Sequence, residues 1–233
     1  MESLQSNILS KNTLALFMVL IILVNMVLEI CFVIALAIGV AALFWFMVRQ
    51  SSEKIVRQYR KIAQQLNLSL TEPDAQLGGF IRSEPFVHGV YRRREMSISV
   101  PGKGLQNTRQ IETILKVKVD EEIFTWQMIA TGLLGALRQR DNGSKERWNS
   151  GDSLFDSVVD VRTNDEGRFA RIFHVDRRAL IAKILRGSKG TITLHGSVLS
   201  FAEFGMIADD AKRERFLEIT ELLCDIAEVV EGR

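Results

Sequence analysis

From Leu14 to Val48 the chain reads as one apolar run in which Glu29 is the only charge. As a single straight helix its 35 residues would extend roughly 52 Å at ~1.5 Å per residue. A hydrocarbon core about 30 Å thick needs only about 20 residues, and tilt absorbs so large a mismatch poorly. A straight crossing also puts Glu29 toward the bilayer centre, where an acid costs on the order of 2.5–3.5 kcal/mol. A turn at Asn25–Glu29 removes both problems, giving one span over about Ile8–Val24, a second over about Ile30–Val48, and the polar pair at the far interface. The pattern thus predicts a transmembrane hairpin within residues 1–48. A single span over Ile30–Val48 is the alternative, because no Gly or Pro marks the turn and Lys11 falls in the first span. A buried ion site at Glu29 lacks a second ionisable residue in the run to pair with. The run is far longer than a signal h-region, and AALFWFMVRQ offers no polar stretch with a small-residue cleavage site, so the segment reads as a retained anchor.

Within the second span, Ala35, Gly39 and Ala42, with Ala37 and Ala41, recur at spacings of three and four. Such a face lets helix backbones approach closely, although membrane helices are rich in small residues in any case. Asn25, Glu29, Ala35 and Gly39 are the candidate membrane contacts. The following stretch carries Arg49, Lys54, Arg57, Arg60 and Lys61 against Glu53 alone, which makes this flank cytoplasmic by the positive-inside rule. Trp45 beside Arg49 fits an interfacial anchor. Ile55, Tyr59, Ile62 and Leu66 mark a helix with one apolar face. That helix lies either on anionic headgroups, at roughly 1 kcal/mol per nearby basic residue, or against the domain that follows.

After a polar break at LTEPD (Leu70–Asp74) the period changes from helical to alternating. Met96, Ile98 and Val100 alternate with polar neighbours, PGKG (Pro101–Gly104) turns the chain, and Ile111, Thr113, Leu115, Val117 and Val119 continue on one face. FVHGVYRRREMSISV reads as a hairpin with Arg92–Arg94 near its turn, and TITLH and VLSFAEF form another around His195-Gly196-Ser197. DRRALIAKILRG is a helix with Asp176 as N-cap and Gly187 as its stop. Asp209–Glu231 is a helix with Phe216, Ile219, Leu222, Leu223, Ile226 and Val230 on one face. IFTWQMIATGLLGALRQR fits a helix or a strand leading into one. The fold class is α+β: a transmembrane hairpin or single span, then a mostly antiparallel sheet with covering helices. The domains are 1–48, a membrane anchor; 49–70, a basic juxtamembrane helix; and 71–233, a cytoplasmic α+β domain.

Charge and chemistry narrow the function. From Asn67 onward 24 Lys+Arg face 25 Asp+Glu, without the basic excess of a nucleic-acid binder. Cys31 and Cys224 form no disulfide framework or metal spacing. Asp152, Asp156, Asp160 and Asp165 lack the spacing of a calcium loop; Phe155 is expected to plug the core and Asp156 to satisfy backbone donors. His88, His174 and His195 show no zinc spacing, Gly102-Lys103-Gly104 joins strands instead of opening a helix, and no nucleophile motif is present. Arg92, Arg93 and Arg94 are candidate anion contacts, or a solvated turn.

GDSLFDSVVDVRTND, Gly151 to Asp165, resembles a pattern in uncharacterised bacterial membrane-anchored proteins: G-D, two residues, F-D, a short strand, then T/S-x-D. A leucine-rich helix, a hairpin and a long C-terminal helix follow in those proteins, as they do here, so the resemblance covers residues 86–230 or so. It implies a bacterial inner-membrane setting and carries over no activity and no catalytic residue. The expected function is non-enzymatic and cofactor-free: an assembly, scaffold or accessory subunit whose partners are membrane lipid and another membrane protein or a second copy. The alternative is a membrane-bound sensor whose cytoplasmic domain binds a small molecule or anionic lipid.

Overall fold

The computed structural model describes residues 2–72, 85–100, 112–131 and 146–232, and for residues 2–22, 24, 25 and 27 the backbone alone. The expected PGKG turn and the stretch following Thr131 lie outside the described residues. The chain divides into two units, Met1–Gln50 and Ser51–Arg233.

The first unit belongs to helix α1 (Glu2–Gln65). The helix is unbroken through 25–29, so the hairpin turn expected there is not formed. The length argument favoured a turn, but backbone chemistry opposes one. Breaking a helix leaves four N–H and four C=O groups without partners at the new ends, a heavy cost in apolar surroundings. No Gly or Pro offsets that cost between Asn25 and Glu29. Leu28, Phe32 and Leu43 are 69%, 69% and 64% exposed, and the helix is long and apolar enough to cross a membrane. Arg49 stacks over Trp45, its guanidinium 5.4 Å from the ring centre.

In the second unit the last turns of α1 enter the core. Tyr59 and Ile62 are fully buried, with Ala63 and Leu66 nearly so, so the apolar stripe packs on its own domain instead of on headgroups. The helix stops earlier than expected, in a Schellman-type closure: Asn67 takes φ 53° and the Leu68 N–H reaches Ala63 O at 2.8 Å. Strand β1 (Ser69–Thr71) then begins within the segment expected to be juxtamembrane helix.

There follow β2 (Phe86–Tyr91), β3 (Arg94–Ser99), β4 (Glu112–Lys118), β5 (Trp126–Ala130), β6 (Glu146–Trp148), α2 (Ser153–Asp156), β7 (Val159–Thr163), α3 (Glu166–Ile172), α4 (Val175–Ser188), β8 (Thr191–His195), β9 (Val198–Phe204) and α5 (Asp210–Val230). Among the described residues the strands form one nine-stranded sheet, β1-β2-β3-β4-β9-β8-β5-β7-β6, in which every strand pairing is antiparallel. Alternation sorts the two faces. Val87, Ile98, Leu115, Phe201, Ile192, Met128 and Val161 share the inner face, all essentially buried, where α5 packs on β4 and β9 and α4 on β5. β5 is buried on both faces.

The hairpins at Arg92–Arg93 and Gly196–Ser197 form as expected, as does α5, whose N-cap proves to be Asp209. α4 differs at both ends. His174 takes the N-cap position, and the left-handed residue that closes the helix is Lys189, not Gly187. Asp176 sits in the first turn, where its charge suits the helix dipole. Gly190 is required by close approach: a Cβ there would lie 2.5 Å from Phe201 Cε2 and 2.9 Å from the Ala202 carbonyl oxygen.

Because Tyr59 and Ile62 belong to the core, a chain begun at Asn67 will lose cooperative unfolding in urea, followed by Trp126 fluorescence, whereas one begun at Ser51 will retain it. In the full chain Tyr59→Ala will lower stability by about 3 kcal/mol.

Candidate functional site

The β2–β3 turn carries its two arginines at φ 48° and 65°, in the left-handed region that usually selects Asn or Gly. Side-chain contacts hold it there. Glu221, Asp225 and Glu228 fall at spacings of four and three along α5, and all three reach Arg92, the last two at 2.7 and 2.8 Å. Tyr91 donates its hydroxyl to Glu221, which pushes the phenol up to about 12. Arg94 and Glu231 form a buried forked pair, with Nη2 2.7 Å from Oε2. Asp225 beside Arg92 and Glu231 beside Arg94 hold both guanidinium groups firmly in the charged form. Glu231 also accepts from the Asp120 N–H at 2.9 Å.

The expected anion site is therefore largely occupied from within. A cavity of about 310 Å³ lies among Arg92, Arg93, Arg94 and Glu228, but two of its three guanidinium groups are bound to the chain's own carboxylates. Arg93, which takes no part in those pairs, stands exposed at the tip beside Arg92. Behind the turn lies Cys224, fully buried, its thiol pushed up to about 11 by burial.

The acids of GDSLFDSVVDVRTND do not converge. Asp152 and Asp165 cap α2 and α3. Asp156 accepts from the Ser150 N–H and hydroxyl at 3.1 and 2.8 Å, satisfying a backbone donor as expected. Asp160 pairs with Arg147 at 2.9 Å, and Phe155 is buried. Among the described residues no three His, Cys, Asp or Glu side chains group as a metal site.

The basic flank is partly neutralised: Arg60 Nε binds Glu72 at 3.0 Å and Lys61 reaches Asp210 at 3.5 Å. Arg57 Nε donates to the Glu53 carbonyl at 3.4 Å, and Lys54 is exposed. Glu29, Ala35 and Gly39 are exposed along α1, and a Cβ at Gly39 would meet nothing within 4 Å. The structure describes no side chain for Asn25.

Two features went unread in the sequence. Glu203 occupies an inner-face position of β9, after Leu199 and Phe201, and its alternation alone marked it as buried. It takes a forked pair from Arg215 at 3.1 Å, with Lys212 3.7 Å away. Lys212 donates to the carbonyls of Phe204 and Gly205 at 2.6 and 2.7 Å, and burial holds its amine below the usual lysine range. The second feature is the outer face of the sheet, which is low in relief. Ser97 lies opposite His88 and Lys116, and Ser200 opposite Lys116 and Thr193. A trough of about 590 Å³ opens there toward the Gly196–Ser197 turn.

No family model and no curated protein matches this sequence. A crystal structure of the mycobacterial trehalose monomycolate transport factor A, TtfA, is similar over 76% of this chain and 94% of that one, with a TM-score of 0.51 and 12% identity. At that identity the likeness is one of fold.

Removing one partner of a buried ion pair strands the other charge, so Arg94→Ala will cost about 3–5 kcal/mol, and Arg94→Met with Glu231→Met will cost less than Arg94→Ala alone, both by urea denaturation. In a Cys31→Ser chain, iodoacetamide at pH 8.5 will leave Cys224 unmodified until the domain unfolds, as read by intact mass.

Proposed function

We propose that this chain is a membrane-anchored accessory protein without catalytic activity, holding its α+β domain at a membrane protein complex as a scaffold or assembly subunit. The observation that carries the reading is the exposed apolar surface of α1. Leu28 to Met47 present large apolar side chains on every side, and these side chains are exposed. Only hydrocarbon or another apolar helix satisfies such a surface. The basic residues after it support, by the positive-inside rule, a bacterial inner-membrane protein whose C-terminal domain faces the cytoplasm.

Along an unbroken helix of about 3.6 residues per turn, Glu29, Ala35 and Gly39 fall within roughly a third of the circumference. A carboxylate and two small residues on one side suit close approach by a second helix that supplies a hydrogen-bond donor. In the domain, the acids and arginines that first suggest chemistry cap helices or bind one another, which favours a structural role over a catalytic one. The fold of TtfA, a transport factor by name, gives a precedent for such a domain in a transport role.

Purification of the full chain in mild detergent, followed by mass spectrometry, tests this. A membrane protein will co-purify with the native chain and fall at least fivefold with Glu29→Leu plus Gly39→Leu at equal expression. Unchanged recovery with the double variant would remove α1 as the contact.

A further inference from the structure

The outer face of β2, β3 and β4 holds a site that the accessory role does not use. The trough of about 590 Å³ has its low point at Ser97, whose short side chain is flanked across the strands by His88 and Lys116. That volume is in the range of about 300–1,000 Å³ common to small-ligand sites. At the end nearest the turns, Val90, 64% exposed, and Val198 stand on β2 and β9, with Glu95 and Lys118 between them across the strands.

The polar groups around it are unequally engaged. The His88 ring stacks on Phe86 at 4.9 Å and its Nε2 bonds the Thr71 hydroxyl at 3.1 Å. Lys118 is paired with Glu95 at 3.3 Å. Lys116 is exposed on the same face, and no carboxylate pairs with it among the described residues. The trough thus offers one uncompensated ammonium group, a hydroxyl beside it at Ser97, and an exposed aliphatic side chain at Val90.

We propose that this trough binds an amphiphile with a single anionic headgroup, the carboxylate or phosphate on Lys116 and Ser97 and the apolar body against Val90, which lies diagonally across from Ser97 on the neighbouring strand. Neither half of the ligand suffices. A lone surface ammonium binds a small anion weakly because water and salt screen it, while one exposed valine buries too little area to hold a neutral chain. Joined, the two contributions act on one molecule without a second loss of translational freedom. The site is independent of the helix contacts proposed for α1, so either can fail without the other.

The test is a titration of the full chain in phosphatidylcholine nanodiscs with octyl phosphate, subtracting empty nanodiscs, with inorganic phosphate and octanol as separate arms. Saturable binding at one site per chain is expected, at least tenfold tighter than either inorganic phosphate or octanol. Ser97→Trp, which fills the trough, and Lys116→Glu, which reverses its charge, should each weaken octyl phosphate at least tenfold while keeping the native melting temperature. Binding equal to the native chain in both variants would overturn the proposal. So would inorganic phosphate binding as tightly as octyl phosphate, which would mark a plain anion site, or octanol doing so, which would show that the charge is not read.

Discussion

One helix has to satisfy two solvents. The first part of α1 exposes Leu28, Phe32, Phe44 and their neighbours on all sides, whereas its final turns place Tyr59, Ile62, Ala63 and Leu66 in the core of the α+β domain. The periodicity changes accordingly, from apolar all round to a single stripe, and this change of pattern is what allows the same backbone to serve both environments. Tyr59 makes the junction specific. Its hydroxyl lies 3.4 Å from that of Thr113, which donates to the Gly205 carbonyl at 2.7 Å, and Lys212 reaches the same carbonyl. The end of the helix, the β4 strand and the β9–α5 connection therefore share one buried polar cluster. Burying a lysine there is tolerable because two carbonyls and Glu203 receive it.

The two faces of the sheet are finished differently. Helices close the inner face over a continuous apolar core, and the ionic ladder between α5 and the β2–β3 turn fastens its rim. This explains the arginines at a turn that glycine would enter more easily. A left-handed conformation costs on the order of 1 kcal/mol per residue, and the contacts of Arg92 with three carboxylates offset it. The outer face carries Ser97, Ser99, Ser200, Ala202, Thr191 and Thr193 among larger polar residues, and it is open around Ser97 and Lys116.

How much of this was legible depended on the range of each interaction. Strands β3 and β4, both hairpins and α5 were readable because alternation and helical period are local signals, as were the buried Phe155 and the backbone role of Asp156. The partners of Arg92 and Arg94 lie more than 120 residues away along the chain, so the sequence showed the cations but not the acids that occupy them. The acids Glu221, Asp225 and Glu228 share one side of α5, a hint of an ion ladder that had no visible counterpart. The turn at Asn25–Glu29 failed for a different reason. It was inferred from the thickness of a bilayer, an external constraint, against a run whose own backbone bonding favours continuity.

That continuity is the claim on which the proposed role rests, and topology tests it directly. Reporters that respond to the cytoplasm should be fused separately at the N-terminus and at the C-terminus of the full chain. A helix that crosses once places the two on opposite sides of the membrane, with the C-terminal reporter active in the cytoplasm and the N-terminal one silent. Activity of both reporters in the cytoplasm would mean that the chain turns back within the apolar run, and would contradict the account.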